Sequence, residues 1–210
     1  MNLRSIVWSV GLVAGTACVT TYVAAKPQDP TKMTPQQLAE MQKMMQDAQA
    51  FAEPGEEHEE LADSAGTWNV ETVISMRGQE MRTKGTSERT ALCGGRFLLE
   101  RTKGTMMGMP FEGVCITGFD NRTQEYNTVW MDSMGTYMMF ASGKKGEDGW
   151  VEMTGIVKDA MSPEGRAWKT RVKHDGADKI VREVFDTMPD APGGEAKMTK
   201  MMDTISTRKK

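Results

Sequence analysis

From Trp68 to the C-terminus, the sequence is a succession of short β-prone runs in which apolar and polar residues alternate. Trp68, Val70 and Ile74, for example, alternate with polar residues such as Asn69 and Glu71. A period of two predicts strands with one buried face. Ten such runs without an intervening helix predict a β-sandwich or a β-barrel. The runs cover residues 68–76, 83–92, 96–103, 110–119, 125–132, 136–142, 150–158, 166–174, 179–186 and 196–207.

The two ends of this strand region favour the barrel. Gly66-Thr67-Trp68 opens the first run and Arg208 follows the last, a pattern that resembles the lipocalin and fatty-acid-binding superfamily. Closing a barrel brings the first and last strands together, and a guanidinium over an indole contributes about 0.5 to 2 kcal/mol. We therefore expect an all-β fold, a closed antiparallel up-and-down β-barrel of about ten strands, lipocalin-like, with an N-terminal helical extension.

Six stretches of the chain together resemble one protein family. They are His58-x-x-Leu61, Ala65-Gly66-Thr67-Trp68, and the segments 94–98, 104–113, 118–121 and 130–136. The combination is similar to a bacterial family known as domain of unknown function 1579, and it extends over roughly residues 56–209. The resemblance implies a barrel but no activity. Cys93 and Cys115 depart from the pattern of that family.

The N-terminus has the pattern of an export signal. Arg4 precedes an apolar run at residues 6–23, and Val23-Ala24-Ala25 offers the small residues that signal peptidase prefers. Cleavage after Ala25 would release a mature chain without a membrane span into the periplasm or the medium. Two alternatives are a lipoprotein anchored at Cys18 and a retained membrane anchor, because the apolar run approaches spanning length.

The segment between this signal and the barrel is expected to be a linker and an amphipathic helix, at residues 26–55. Thr34-Pro35 is a favourable helix start, and Leu38, Met41 and Met45 recur at helical spacing. A short second helix is predicted at residues 58–65. The barrel domain then occupies residues 56–210.

Charge and composition exclude some classes of protein. The chain carries 26 basic and 29 acidic residues, spread along its length. A nucleic-acid-binding protein would need a concentrated basic face. The hydrophobic content of 39% is typical of a globular protein with a core.

The two cysteines of the mature chain, Cys93 and Cys115, are predicted to form a disulfide. A hairpin centred on Gly104 would place Phe97 opposite Phe111 and Cys93 opposite Cys115. Directly opposed residues lie within disulfide reach, and an exported chain meets an oxidising compartment. Two cysteines without nearby histidines do not make an ordinary zinc site.

Metal and catalytic motifs are weak throughout the chain. His58 lies in an acidic stretch, but a H-E-x-x-H motif would need histidine where Ala62 stands, so we expect His58 to hydrogen-bond the short helix to the barrel base. Methionine clusters near Met106 and Met201 raise the alternative of Cu(I) binding, although methionine also fills cores. Ser133 beside Asp132 has no predicted histidine nearby to activate it. Neither an enzyme nor a cofactor is therefore expected.

One strand offers the best candidate for a ligand site. Alternation places Tyr126, Trp130 and Asp132 on one face, and Arg96 lies on a strand predicted nearby. An aromatic wall with a carboxylate and a guanidinium is typical of a small-molecule pocket. These residues predict a binder of an amphiphilic small molecule inside the barrel. The main alternative is a structural or interaction module of the cell envelope whose barrel is filled by an internal ion pair and side chains. The pattern leaves the oligomeric state open.

Overall fold

The computed structural model describes residues 33–76, 78–159, 162–189 and 196–210. These residues form two compact units, the first ending at Glu53 and the second beginning at Pro54. Within the first unit, helix α1 spans Pro35–Ala52. Its start is a capping box, since the Thr34 hydroxyl accepts from Gln37 N at 3.2 Å and the Gln37 side chain accepts from Thr34 N at 2.9 Å. No helix of the described residues is long and apolar enough to cross a membrane.

Helix α2, Glu56–Asp63, begins the second unit and packs against one end of the β-sheet. His58 is buried, and its Nδ1 accepts a hydrogen bond from Gly55 N at 3.0 Å. Its Nε2 therefore carries the proton and donates to the carbonyl oxygen of Phe119 at 3.1 Å. Leu61 on the next turn joins the core. This histidine thus links the helix to the barrel, which is the contact that the sequence predicts.

The rest of the second unit is a closed antiparallel barrel in which consecutive strands are neighbours and β10 pairs with β1. The predicted fold class is confirmed. The alternation of the sequence is the cause, because each strand turns one set of side chains inward and the other outward. The strands are β1 (Gly66–Met76), β2 (Gln79–Leu92), β3 (Phe97–Met106), β4 (Met109–Asp120), β5 (Glu125–Asp132), β6 (Met139–Lys145), β7 (Val151–Asp159), β8 (Ser162–His174), β9 (Lys179–Pro189) and β10 (Ala196–Arg208).

The barrel closes at Trp68 and Arg208, which are directly paired in register. Trp68 is fully buried, and the Arg208 guanidinium lies 4.4 Å from its ring centroid. Arg208 also donates to the carbonyl oxygen of Ala65 at 2.7 Å, while Trp68 Nε1 donates to the carbonyl oxygen of Ser64 at 3.0 Å. Gly66 has φ +134°, and a Cβ there would lie 3.0 Å from Arg208 Nη1. The G-x-W glycine is therefore required by both its backbone conformation and the closeness of the arginine.

Glycines within the strands mark close backbone approaches. A Cβ on Gly155 would lie 1.9 Å from the carbonyl oxygen of Phe140 and 2.8 Å from Trp168 Nε1. A Cβ on Gly85 of β2 would lie 2.3 Å from the carbonyl oxygen of Lys103 on β3. Because neighbouring strands approach each other closely at these positions, no side chain is tolerated there.

The predicted Cys93–Cys115 disulfide is wrong. Both cysteines are free thiols, Cys93 exposed in the turn after β2 and Cys115 buried on β4. The β3–β4 hairpin turns at residues 107–108, where Met107 and Gly108 have positive φ. Gly104 lies inside β3, opposite Gly85. The prediction mistook this strand glycine for the turn and so shifted the register.

In the observed register, neither of the two predicted residue pairs is formed. Phe97 pairs with Gly118 rather than Phe111, and Cys115 pairs with Glu100 rather than Cys93. Glu100 is therefore the side chain that the hairpin brings beside the buried thiol.

Candidate ligand site in the barrel interior

The barrel encloses a cavity of about 290 Å³. It extends from Leu61 and Ser64 of the α2 end to Met134 and Tyr137, which follow β5 at the other end. Its wall is predominantly apolar, with a few polar side chains, the composition typical of a small-molecule pocket. The apolar part includes Leu98, Met139, Met153, Val172, Val184 and Trp168.

The face predicted on β5 does line this cavity. Tyr126, Thr128, Trp130 and Asp132 all contribute to its wall. Trp130 Nε1 donates to Asp132 Oδ2 at 2.7 Å, and Asp132 Oδ1 accepts from Met134 N at 2.9 Å. The carboxylate is therefore held by its own strand and the following turn, and its Oδ2 fixes the orientation of the indole.

Arg96 does not reach this face. It lies in the β2–β3 turn, where its Nη1 donates to the carbonyl oxygen of Cys93 at 3.1 Å. That turn is at the α2 end, where a Cβ on Gly95 would be 3.9 Å from Ala62. Asp132 ends β5, which starts at the α2 end and runs to the opposite one. The predicted Arg96–Asp132 pair is therefore wrong. The order of the strands tells which strands are adjacent around the barrel, but it does not tell where a residue lies along the barrel axis.

The interior guanidinium groups belong instead to Arg89 and Arg182, which share the carboxylate of Glu100. Arg89 Nη2 donates to Glu100 Oε1 at 3.0 Å, and Arg182 Nη2 donates to Glu100 Oε2 at 2.7 Å. Arg89 and Glu100 are cross-strand partners on β2 and β3, whereas Arg182 reaches across the interior from β9. The side chains of Arg89 and Glu100 are 4% and 5% exposed. We call these three residues the interior triad.

The interior triad is ionised at neutral pH. Burial alone would raise the pKa of Glu100, but the charges and hydrogen bonds of Arg182 and Arg89 outweigh it and lower that pKa to about 2. Burial lowers the pKa of Arg89, and the negative charge of Glu100 offsets only part of this effect. Burial acts in the same sense on Arg182, but the charge of Glu100 prevails and raises its pKa. Two positive charges thus face one negative charge in the interior.

A group of hydroxyls and a thiol lies beside the interior triad. Cys115, the cross-strand partner of Glu100, has its Sγ 3.1 Å from Thr128 Oγ1. Thr128 Oγ1 is also 3.1 Å from Thr117 Oγ1. All three side chains line the cavity. Rotatable hydroxyls can donate or accept, so they can adapt to a polar group placed next to the arginines.

Several buried polar atoms make no hydrogen bond within the part of the chain that the structure describes. They are Ser87 Oγ, Arg89 Nε, Tyr126 Oη and Trp168 Nε1. Leaving a buried donor unpaired costs roughly 1 to 3 kcal/mol. Burial, with smaller contributions from Glu60 and other carboxylates, raises the pKa of Tyr126, so its phenol stays protonated and able to donate. The residues Arg89, Tyr126 and Trp168 contribute to the cavity wall, although the four unpaired atoms themselves are covered by the protein.

Comparison with protein families finds one match. A family described as protein of unknown function (DUF1579) matches residues 53–208. The chain belongs to this family. The match covers α2 and all ten strands, so the DUF1579 unit is the whole barrel together with its interior triad. No curated protein matches the chain significantly.

A second buried ion cluster lies in this DUF1579 barrel and differs from the interior triad. Arg166 of β8 donates to Asp159 at 2.7 Å and, through two nitrogens, to Asp186 at 2.8 and 3.0 Å. Its side chain is 13% exposed. Here two carboxylates surround one guanidinium, so the arginine is fully engaged by the protein.

The other candidate residues of the DUF1579 barrel lie apart from one another in the part of the chain that the structure describes. Ser133 Oγ accepts from Glu112 N at 3.1 Å, and it follows β5 at the end of the barrel opposite His58 and His174. Among the described residues, no group of three histidine, cysteine or acidic side chains is placed to hold a metal ion. Of the first methionine cluster, Met106 lines the cavity, whereas Met107 and Met109 are exposed.

Sequence reasoning missed the interior triad, although a signal was present. Arg89 is in phase with buried Ser87, and Glu100 is in phase with buried Leu98. A charged residue at an inward position of an alternating strand is costly unless it is paired. The phase of the strands thus indicated buried charges. It could not indicate that Arg182, 82 residues further along the chain than Glu100, completes the cluster.

Proposed function

We propose that the protein binds an amphiphilic small molecule inside the barrel. The observation that carries the proposal is the cavity itself, about 290 Å³, whose mostly apolar wall includes a few side chains that carry hydrogen-bond donors, among them Arg89, Arg182 and Tyr126. A molecule with an apolar body and a polar end would bury its body against the wall and pair with these donors.

Trp130 supplies the apolar contact in this proposal. Its ring stacks on Phe111 with centroids 6.4 Å apart and planes inclined by 20°, and both rings line the cavity. The hydrogen bond to Asp132 holds the indole in place. A wall that is already ordered binds at a lower entropic cost than one that must be ordered on binding.

Binding of Nile red, a neutral apolar dye, tests the proposal. The purified protein should take up one dye per chain with increased dye fluorescence. Trp130→Ala should weaken dye binding by about tenfold, the equivalent of roughly 1.4 kcal/mol. The matched control is Trp150→Ala, because the Trp150 ring packs on the Arg171 guanidinium at 4.5 Å and does not line the cavity. A folded protein that takes up no dye, or two variants that weaken binding equally, would contradict binding in this cavity.

An interaction module of the cell envelope is the second candidate, and it is supported by the outer face of the barrel. Phe140 on β6 and Ile156 on β7 are 61% and 60% exposed. Their strands are paired with each other, so two large apolar side chains lie outside the barrel in the same region. Phe140→Ser would leave dye binding unchanged under the first function and would remove a partner contact under the second.

The cell envelope as the site of action is also a proposal and rests on residues 1–25, which lie outside the described residues. Arg4, the apolar run and Val23-Ala24-Ala25 support export. N-terminal sequencing of the exported protein should begin at Lys26. A lipid-modified start at Cys18 would instead make it a tethered lipoprotein.

A further inference from the structure

We infer that the polar end of the ligand is a single anionic group of the carboxylate class, bound at Arg182 with support from Arg89. This inference rests on the proposed function and narrows it to one class of amphiphile. It follows from the charge balance of the interior, from the unused donors of Arg182, and from the contrast with the second ion cluster.

The interior triad carries one excess positive charge. Each oxygen of Glu100 accepts from one arginine, at 3.0 and 2.7 Å, and the single negative charge of the carboxylate balances only one of the two guanidiniums. The other described acidic side chains that point inward or line the cavity are engaged elsewhere. Glu60, which lines the cavity, pairs with Lys145 at 2.6 Å. Asp186 binds Arg166, and Asp132 accepts from Trp130 and Met134. A buried charge without a partner is unfavourable, and an anion placed at the triad would supply the missing partner.

Arg182 is the member of the triad that faces the ligand. Its side chain lines the cavity and is 21% exposed, compared with 4% for Arg89 and 5% for Glu100. Because it lies on the inward face of β9, its exposed surface borders the cavity. Among the described residues, Arg182 donates one hydrogen bond, from Nη2 to Glu100. A guanidinium has five N–H donors, so most of those of Arg182 remain for a planar acceptor such as a carboxylate.

Arg89 and the neighbouring hydroxyls complete this anion site. Arg89 lines the same cavity and, through its shared partner Glu100, brings a second positive charge close to Arg182. Thr170 and Thr128 line the same cavity, and their hydroxyls can donate to an anion. Glu100 holds both guanidiniums in place, which makes it a positioning residue. A monoanion neutralises the site, whereas a cation is repelled and a neutral alcohol leaves the excess charge uncompensated.

Displacement of Nile red by three amphiphiles with the same chain tests the inference. Laurate, dodecanol and dodecylamine, each below its micelle concentration at neutral pH, differ only in the charge of the head group. Laurate should displace the dye at a concentration about tenfold or more below that of dodecanol, and dodecylamine should be the weakest competitor. Equal potency of laurate and dodecanol would overturn the anionic head group and leave the proposed function intact. Failure of Nile red itself to bind would refute the proposed function.

Variants assign the effect to Arg182. Arg182→Gln should weaken laurate binding about tenfold more than it weakens dodecanol binding, so that the advantage of laurate is lost. The control Arg171→Gln removes an outward arginine, which pairs with Glu183, and should keep the advantage. If Arg182→Gln does not fold, Arg182→Lys serves instead, since lysine keeps the charge but not the bidentate fork. Loss of the advantage of laurate over dodecanol supports the inference, and an advantage that persists in the folded variant, or equal weakening of both ligands, overturns it.

Discussion

Replacing Glu100 with glutamine is the most informative single test of the interior triad. The change keeps the size of the side chain but removes the charge that both arginines share. Arg89 and Arg182 would then face each other as like charges in a site with little access to water. Removing one partner of a buried pair typically costs about 3 to 5 kcal/mol, and this is the range that we expect for Glu100→Gln.

The pKa of Glu100 gives an independent magnitude and a pH signature. The folded protein lowers it from 4.5 to about 2, and each pKa unit corresponds to about 1.4 kcal/mol, so the ionised group contributes roughly 3 kcal/mol. A carboxyl whose pKa is lowered by folding stabilises the protein fully above its unfolded pKa. That contribution is lost as the pH falls from about 4.5 towards 2. The wild type should therefore lose this stability on acidification, and Glu100→Gln should lack that part of the pH dependence.

Urea unfolding followed by tryptophan fluorescence measures both effects. With a slope of about 2 kcal/mol per molar urea, a loss of 3 kcal/mol lowers the midpoint at neutral pH by about 1.5 M. Glu112→Gln is the control, because its pair with Lys103 is 67% and 70% exposed and such pairs contribute less than about 1 kcal/mol. Equal midpoints for the two variants, or an unchanged acid dependence in Glu100→Gln, would refute the interior pairing described here.

Two further predictions concern barrel closure and the thiols. Trp68→Ala should cost about 3 to 5 kcal/mol, Arg208→Ala less, and the double variant less than their sum because the two side chains touch; additive losses would argue against the Arg208–Trp68 contact. Alkylation of the unreduced native protein should modify exposed Cys93 rapidly and buried Cys115 only on unfolding. A mass that shows neither cysteine alkylated after unfolding would indicate a disulfide and a different β3–β4 register.

The strands and their faces could be predicted because alternation is a local property of the sequence. Strand β5 begins and ends where its pattern predicts, and the side chains of Tyr126, Trp130 and Asp132 line the cavity together. The contact of Trp68 with Arg208, which closes the barrel, could also be predicted from the sequence. It requires only that the first and last strands of a closed barrel be neighbours.

The register of the strands and the position of a residue along the barrel axis could not be predicted from the sequence in the same way. Gly104 has the residue type of a turn, but its lack of a side chain serves the close approach of β3 to β2. The β3–β4 turn occurs instead at Met107 and Gly108. Arg96 was chosen from strand order alone, and strand order does not tell which end of a strand a residue occupies. A shift of a few residues in register was enough to misplace the disulfide, and the unknown position of Arg96 along the barrel axis misplaced the ion pair.

The two interior ion clusters show how a structural arginine differs from one that is available to a ligand. Both lie on inward faces of the same barrel, and both contain a guanidinium that is mostly buried. Arg166 meets two carboxylates and uses three nitrogens on them, so its charge and its donors are satisfied by the fold. Arg182 shares one carboxylate with Arg89 and uses one nitrogen on it among the described residues. Since burial makes unpaired charge and unpaired donors costly in both places, the difference in stoichiometry indicates a structural role for Arg166 and supports the proposal that Arg182 binds an anion.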